Sequence, residues 1–285
     1  MGLRRDLLLF PGGKKYAFTL SYDDAVTQDV RLLEMMNRYG VKGTFNINTG
    51  LLGQKSFHTQ NGKEVTHHKL QYSQILDVYK GQEIAVHGLT HLDLALAGGA
   101  TASYEVSADR KNIEDLLKKP VRGMAYPFGT YSDKLVELLR LSGMEYARTT
   151  KSTHSFELPE DFLLWHPTCH HADETLFDLS ERFFAAAPKY YGPRLFYVWG
   201  HSYEFDVRDD WDRMERFLEL MAGKNFVWYA TNGEICDYVN AAKGLRYSST
   251  GQYIENPSAK DVWLCLDGET VLLPAGQIKE LHRPD

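Results

Sequence analysis

Cysteine is scarce in this sequence: Cys169, Cys236 and Cys265 are far apart, and none belongs to a Cys-x-x-Cys pair. That argues against a disulfide framework or a thiolate zinc site and for buried, reduced thiols. Long hydrophobic runs are also missing. No stretch approaches the roughly 18 apolar residues of a membrane span. The apolar run near the N-terminus stops at Phe10, short of a secretory signal, and it lacks a small-residue cleavage site. The expectation is a cytoplasmic chain with no membrane partner. Nor is there an excess of positive charge: the formal net charge is -6. A mildly acidic surface gives no electrostatic reason to bind nucleic acid. Internal repeats and low-complexity segments are absent, which sets aside solenoids and disordered tails.

What is present suits a packed enzyme-sized domain. The chain has 285 residues, of which 43% are hydrophobic and 25% charged, both near globular averages. Short β-rich runs alternate with helical patterns. Strands are expected at 16–21, 44–47, 83–86, 121–126, 194–199 and 226–229. Helices are expected at 30–39, 71–80, 103–118, 132–142, 174–186 and 208–222. Thr231 and Glu234 have the spacing of a capping box that starts a further helix. Residues 48–68 read as a long polar loop, and 150–172 as irregular. The β-α alternation calls for a mostly parallel sheet, and the number of units favours a barrel over an open sheet. After residue 243 the pattern changes to short strands, with Asp267-Gly268 as a hairpin turn. The expected division is a barrel over 1–243 and a small antiparallel β appendage over 244–285.

Four polar clusters each follow an expected strand: Asp23-Asp24, His87 with His91, Pro127-Phe128-Gly129, and His201. In β/α barrels the C-terminal strand ends converge on one face, where active sites are built. Adjacent acids at a strand end can serve one pocket, one as a metal ligand and one as a base, although Asp24 also stands where an aspartate could cap a helix. Two histidines four apart place both rings on one side of a helical turn. Two imidazoles and one carboxylate with an open position form a recurrent catalytic zinc set. The neighbouring pairs His67-His68 and His170-His171 are poorer chelators.

Taken in order, Ser21-Tyr22-Asp23-Asp24, the His87 and His91 pair, Ala125-Tyr126-Pro127-Phe128-Gly129 and the late His201 resemble the motifs of the polysaccharide deacetylase family, the NodB-homology group or carbohydrate esterase family four. The resemblance spans about residues 14–240. It implies a distorted (β/α)7-type barrel in which Asp24, His87 and His91 hold a divalent metal, zinc first, with cobalt, nickel or iron as alternatives. It implies Asp23 as the general base and His201 as the general acid. Pro127 and Phe128 would shape an acyl pocket, with the Phe128 backbone N–H stabilising the oxyanion. Tyr126, Gly129, Trp199 and His170 are further candidates for lining the substrate site.

Departures from the family pattern set questions for the structure. Many members have an arginine where Ala125 stands, so another group must orient Asp23; Arg122 is near but out of register. Gly88 replaces the usual serine or threonine after the first histidine. The fourth family motif is not recognisable, and Trp165, His166, His170 and His171 occupy its part of the order. The expected activity is hydrolysis of a non-peptide amide, foremost N-deacetylation of an acetylated sugar or oligosaccharide. A cyclic imide hydrolase and a non-catalytic carbohydrate-binding protein are the competing expectations. The oligomeric state is not legible.

Overall fold

The computed structural model describes residues 6–60, 62–185 and 192–281. Its main sheet is parallel at every pairing and curls around a buried interior. The strand order is Tyr146–Arg148, Gly123–Ala125, Glu83–Val86, Gly43–Ile47, Tyr16–Asp23, Arg194–Gly200 and Cys169–His170. Val227–Tyr229 pairs with the first half of Tyr16–Asp23, on the edge whose second half pairs with Gly43–Ile47. The two ends of the sheet meet through residues 165–171. Trp165 donates its N–H to Ala147, while Thr168 and His171 donate theirs to Tyr197 and Trp199. The result is the seven-stranded distorted (β/α) barrel expected from the pattern.

The strands are buried on both faces because they are covered on both, with polar Thr19, Ser21 and Asp23 alternating with apolar Phe18, Leu20 and Tyr22 along the central one. Seven of the eight residues of Tyr16–Asp23 are buried, as a strand enclosed by a barrel interior and an outer helical layer must be. The main core gathers Phe18, Phe45, Val86, Phe196 and Val198 from the strands with Leu32, Ile113, Leu139, Leu179 and Phe217 from the helices. Those helices are Asp29–Tyr39, Gly99–Leu117, Asp133–Leu141, Leu176–Phe184 and Trp211–Met221. The expected helix over 174–186 is thus the fourth of these, and its residue 186 lies outside the described residues. Residues 71–80 form only a 3-10 turn and the four-residue helix Ile75–Val78. The expected helix over 208–222 is two pieces, Tyr203–Arg208 and Trp211–Met221, broken where Asp209 is left-handed. Among the described residues no helix is long and apolar enough to cross a membrane.

Three segments are more ordered than their composition suggests. Phe57–Gln60 and Lys63–Thr66 form a hairpin inside the stretch read as a loop. Tyr146–Arg148 and Cys169–His170 are strands too short to show alternation. The C-terminal residues do form small antiparallel sheets. One of them, Val262–Leu266 with Glu269–Leu273, is completed by Asp6–Leu9 from the other end of the chain. The final helix, Asn232–Lys243, opens with both capping-box bonds, Thr231 Oγ1 to the Glu234 N–H and the Glu234 carboxylate to the Thr231 N–H. Thr231→Ala removes one acceptor from that helix start. It should lower the unfolding free energy by about 1 kcal/mol, read from the urea midpoint.

Candidate metal centre and active site

Asp23 ends its strand, and Asp24 follows in a left-handed conformation, φ 86°. Such a conformation costs a non-glycine residue about 1–3 kcal/mol and recurs where function demands it. The turn lets adjacent acids share one pocket, whereas on a regular strand they would face opposite ways. Asp24 caps no helix: the next begins at Asp29, with Gln28 at its N-cap. His87 follows Glu83–Val86 directly. The stretch to His91 is an irregular turn, with Gly88 at φ 77° and His91 at φ 57°, and not the helical turn that the spacing suggested. The two rings still meet, 4.8 Å apart at 72°. Carboxylates beneath them fix this turn. Asp109 accepts the His87 backbone N–H at 3.0 Å, and Glu105 accepts the Thr90 N–H and hydroxyl, each at 2.8 Å.

The ligand atoms of Asp24, His87 and His91 lie within 4.8 Å of one another. His87 donates Nδ1–H to the Ala125 carbonyl at 2.9 Å, which leaves Nε2 as a bare lone pair. That Nε2 is buried without a hydrogen-bond partner. Burial also pushes the His87 pKa down to about 4, so the ring is neutral. A backbone acceptor fixing the tautomer of an otherwise orphaned imidazole is what a metal-ligating histidine requires. The donor set of one carboxylate and two imidazoles fits a divalent transition metal better than magnesium or calcium. Asp24 has two further neighbours, Lys69 Nζ at 3.2 Å from Oδ1 and His67 Nε2 at 3.4 Å from Oδ2.

A second histidine–carboxylate group, His170, His171 and Glu204, is equally compact, and both ring nitrogens of His171 are likewise buried without a hydrogen-bond partner. His170 Nδ1 accepts the Ala172 N–H at 3.2 Å, so its proton is on Nε2, which faces Glu204 Oε2 at 3.1 Å. In that tautomer His170 turns a proton, and not a lone pair, toward Glu204. Glu204 also meets His171 Nε2 at 3.0 Å and His201 Nδ1 at 3.0 Å. Burial acts to raise the Glu204 pKa, but three imidazoles hold it far below the usual carboxylate range. For His201, burial acts to lower the pKa, and the Glu204 hydrogen bond with the charges of Asp23 and Asp24 outweighs it, raising the value to about 9.

The group that orients Asp23 is Arg148. Its guanidinium is wholly buried and hydrogen-bonds Asp23 Oδ2, while Asn46 Nδ2 donates to Oδ1 at 2.8 Å. Arg148 also stacks on Trp199, 4.5 Å from the ring centroid. Burial would raise the Asp23 pKa; the charge of Arg148 first, then that of His201, holds it below the ordinary value. The carboxylate is therefore ionised, with His87 Nε2 and His201 Nε2 each 3.8 Å from Oδ2. Arg122 is engaged elsewhere, with Glu145 at 2.8 Å and Asp237 at 2.7 Å.

The remaining candidates divide by depth. Tyr126 is fully buried, its hydroxyl donating to the Leu163 carbonyl at 2.8 Å, and Pro127 is buried beside it. Phe128 is 61% exposed at φ 59°, its ring edge-on to His91 at 4.6 Å. Gly129 has φ 72°, and a Cβ there would lie 2.1 Å from Thr150 Oγ1, so only glycine fits the turn. His170 meets Trp199 edge-on at 4.7 Å, and Trp199 has Arg148 against its ring. Reading the sequence weighed His67 only as a poor chelator and missed Arg148, Asn46, Glu204 and Lys69. Of these, Glu204 alone had a local signal, three residues after His201 at the start of Tyr203–Arg208.

Comparison with known proteins finds likeness in sequence and in fold. The sequence profile of the polysaccharide deacetylase family matches residues 11–147, which include Asp23, Asp24, His87, His91 and Pro127 to Gly129; His201 and Glu204 lie beyond the match. The fold is similar to that of a Mycobacterium smegmatis protein assigned as a polysaccharide deacetylase, at 16% identity and TM-score 0.55, covering 83% of this chain and 94% of that one. Streptococcus pyogenes deacetylase PplD, solved with acetate, is 22% identical at TM-score 0.40 over 46% of this chain and 55% of that one. Bacillus anthracis BA3943, described as a CE4 family pseudoenzyme, is 17% identical at TM-score 0.48 over 78% of this chain and 66% of that one. This chain therefore spans about half to two thirds of the length of the last two. No curated protein matches it.

Arg148→Met would leave Asp23 buried and unpaired, which costs roughly 3–5 kcal/mol of folding free energy. Urea denaturation should show that loss, and Asp23→Asn in the same chain should restore much of it. Arg122→Met, at a half-exposed pair, should cost about 1 kcal/mol or less.

Proposed function

We propose, taking residues 11–147 as of the polysaccharide deacetylase family, that the protein is a metal-dependent hydrolase that removes the acetyl group from an N-acetylated sugar or oligosaccharide. The observation that carries this reading is the orphaned, neutral Nε2 of His87 beside Asp24 and His91, with an ionised second carboxylate 3.8 Å away. A divalent metal bound by Asp24, His87 and His91 supplies a Lewis acid that polarises the amide carbonyl and acidifies water. Zinc is the first choice for this donor set, with cobalt, nickel and iron next.

The protein's own groups handle the protons. Asp23, kept ionised and aimed by Arg148 and Asn46, takes the proton of the attacking water. The new C–O bond places negative charge on the carbonyl oxygen, toward which the Phe128 backbone N–H can donate. His201, kept protonated by Glu204, gives its proton to the amine nitrogen as the C–N bond breaks. The products are acetate and a free amine. Two separate proton carriers, each worth roughly 10²–10⁴ in rate, answer the two obstacles of amide hydrolysis, a weak electrophile and a poor leaving group. The exposed Phe128 ring offers an apolar surface beside His91, and His170 and Trp199 stand on the side of His201.

Metal analysis and acetate release test the roles separately. Asp24→Ala should lose the metal, whereas Asp23→Asn should keep it and release acetate roughly 10²–10⁴-fold more slowly. Full activity of both variants would refute the assignment. A panel of chitooligosaccharides, monomeric N-acetyl sugars and cyclic imides identifies the substrate class: turnover of imides alone removes the sugar reading, and tight sugar binding without product identifies a binding protein. Because the Glu204 charge favours protonated His201, Glu204→Gln should lower the His201 pKa. The alkaline limb of the rate profile should then move to lower pH, with metal content unchanged.

A further inference from the structure

Lys69 is a buried cation at the candidate metal centre that the proposed chemistry does not use. The residue is 7% exposed, and its Nζ stands 3.2 Å from Asp24 Oδ1, the oxygen that also lies 3.9 Å from His91 Nε2. Among the described residues its ammonium makes no other ion pair. The backbone holds it there. Lys69 bridges Val26 in antiparallel register, its N–H donates to Gln54 at 2.9 Å, and on either side Thr27 donates to His68 at 2.8 Å and Leu70 to Ala25 at 2.8 Å. The segment after the hairpin Lys63–Thr66 is thus laced to the residues that follow Asp24, and the lysine cannot leave without breaking that lacing or moving its side chain alone. A buried ammonium needs a counter-charge, and here that counter-charge is a proposed metal ligand.

We propose that Lys69 is a specificity-determining residue of the cation site, competing with the metal for Asp24 and thereby setting how tightly, and which, ions are held. This rests on the metal-centre reading above. Two like charges sharing one carboxylate inside a poorly solvated pocket repel strongly. A hard cation held by charge alone gains little there, because Asp24 is already neutralised. An ion that bonds to imidazole nitrogen keeps its two histidine bonds and tolerates the lysine. Lys69 therefore lowers the affinity for every divalent ion and takes weakly bonding ones out of the useful range.

The test measures metal affinity, not turnover. Zinc and manganese are titrated into wild type, Lys69→Met and Lys69→Arg in competition with a fluorescent chelator, with circular dichroism confirming the fold of each. Lys69→Met keeps the length and apolar stem of the side chain and should bind both ions at least tenfold more tightly. Lys69→Arg keeps the charge and should stay within about threefold of wild type, a threshold well below the tenfold change that 1.4 kcal/mol represents. If Lys69→Met binds zinc no more tightly than wild type while wild type binds it, Lys69 does not compete, and the metal centre itself is unaffected. If neither protein binds any metal, both the competition and the metal-centre reading fall. If Lys69→Met fails to fold, Lys69→Gln supplies the neutral variant for the same comparison.

Discussion

A buried guanidinium held against a buried carboxylate organises the polar end of this molecule. Arg148 and Asp23 are both removed from water, at 0% and 2% exposure, and neither could stay charged there alone. Their pairing joins the central strand Tyr16–Asp23 to Tyr146–Arg148 at one end of the sheet, across the barrel interior. It also determines the chemistry available. A desolvated aspartate without the arginine would take up a proton, whereas with it the carboxylate stays ionised and in one orientation.

Around that pair the centre is layered by charge. Asp23 stands between two imidazoles of opposite character, His87 neutral through burial and His201 raised through Glu204. The difference follows from their partners. A carbonyl oxygen accepts the Nδ1–H of His87 and adds no full charge, while a carboxylate faces Nδ1 of His201 and stabilises the cation. At Asp24 and His91 the backbone carbonyl of Ala125 fixes His87 with its Nε2 lone pair free, whereas beside Glu204 the Ala172 N–H fixes His170 with its Nε2 protonated.

Much of the architecture was legible along the chain. Strands over 83–86 and 194–199 appear as Glu83–Val86 and Arg194–Gly200, and the capping box at Thr231 forms as spelled, because apolar periodicity and capping are local properties. The clusters at four strand ends reach one face for a topological reason: parallel strands all terminate on the same side. What stayed hidden came from short or irregular pieces. Tyr146–Arg148 has three residues, too few for an alternation, and so the arginine it carries could not be told from a surface one. Arg122 looked closer to the missing family position, yet it is tied to Glu145 and Asp237.

By itself, then, the sequence determined the barrel, the order of its motifs and the residue types a metal centre needs, since these depend on periodicity and on neighbours within a few positions. Only the tertiary structure decided which arginine faces Asp23, which histidine has a free lone pair, and that Lys69 stands against Asp24. Those contacts join residues 38 to 125 positions apart. Their outcome depends on side-chain depth and hydrogen-bond direction, which no local pattern encodes.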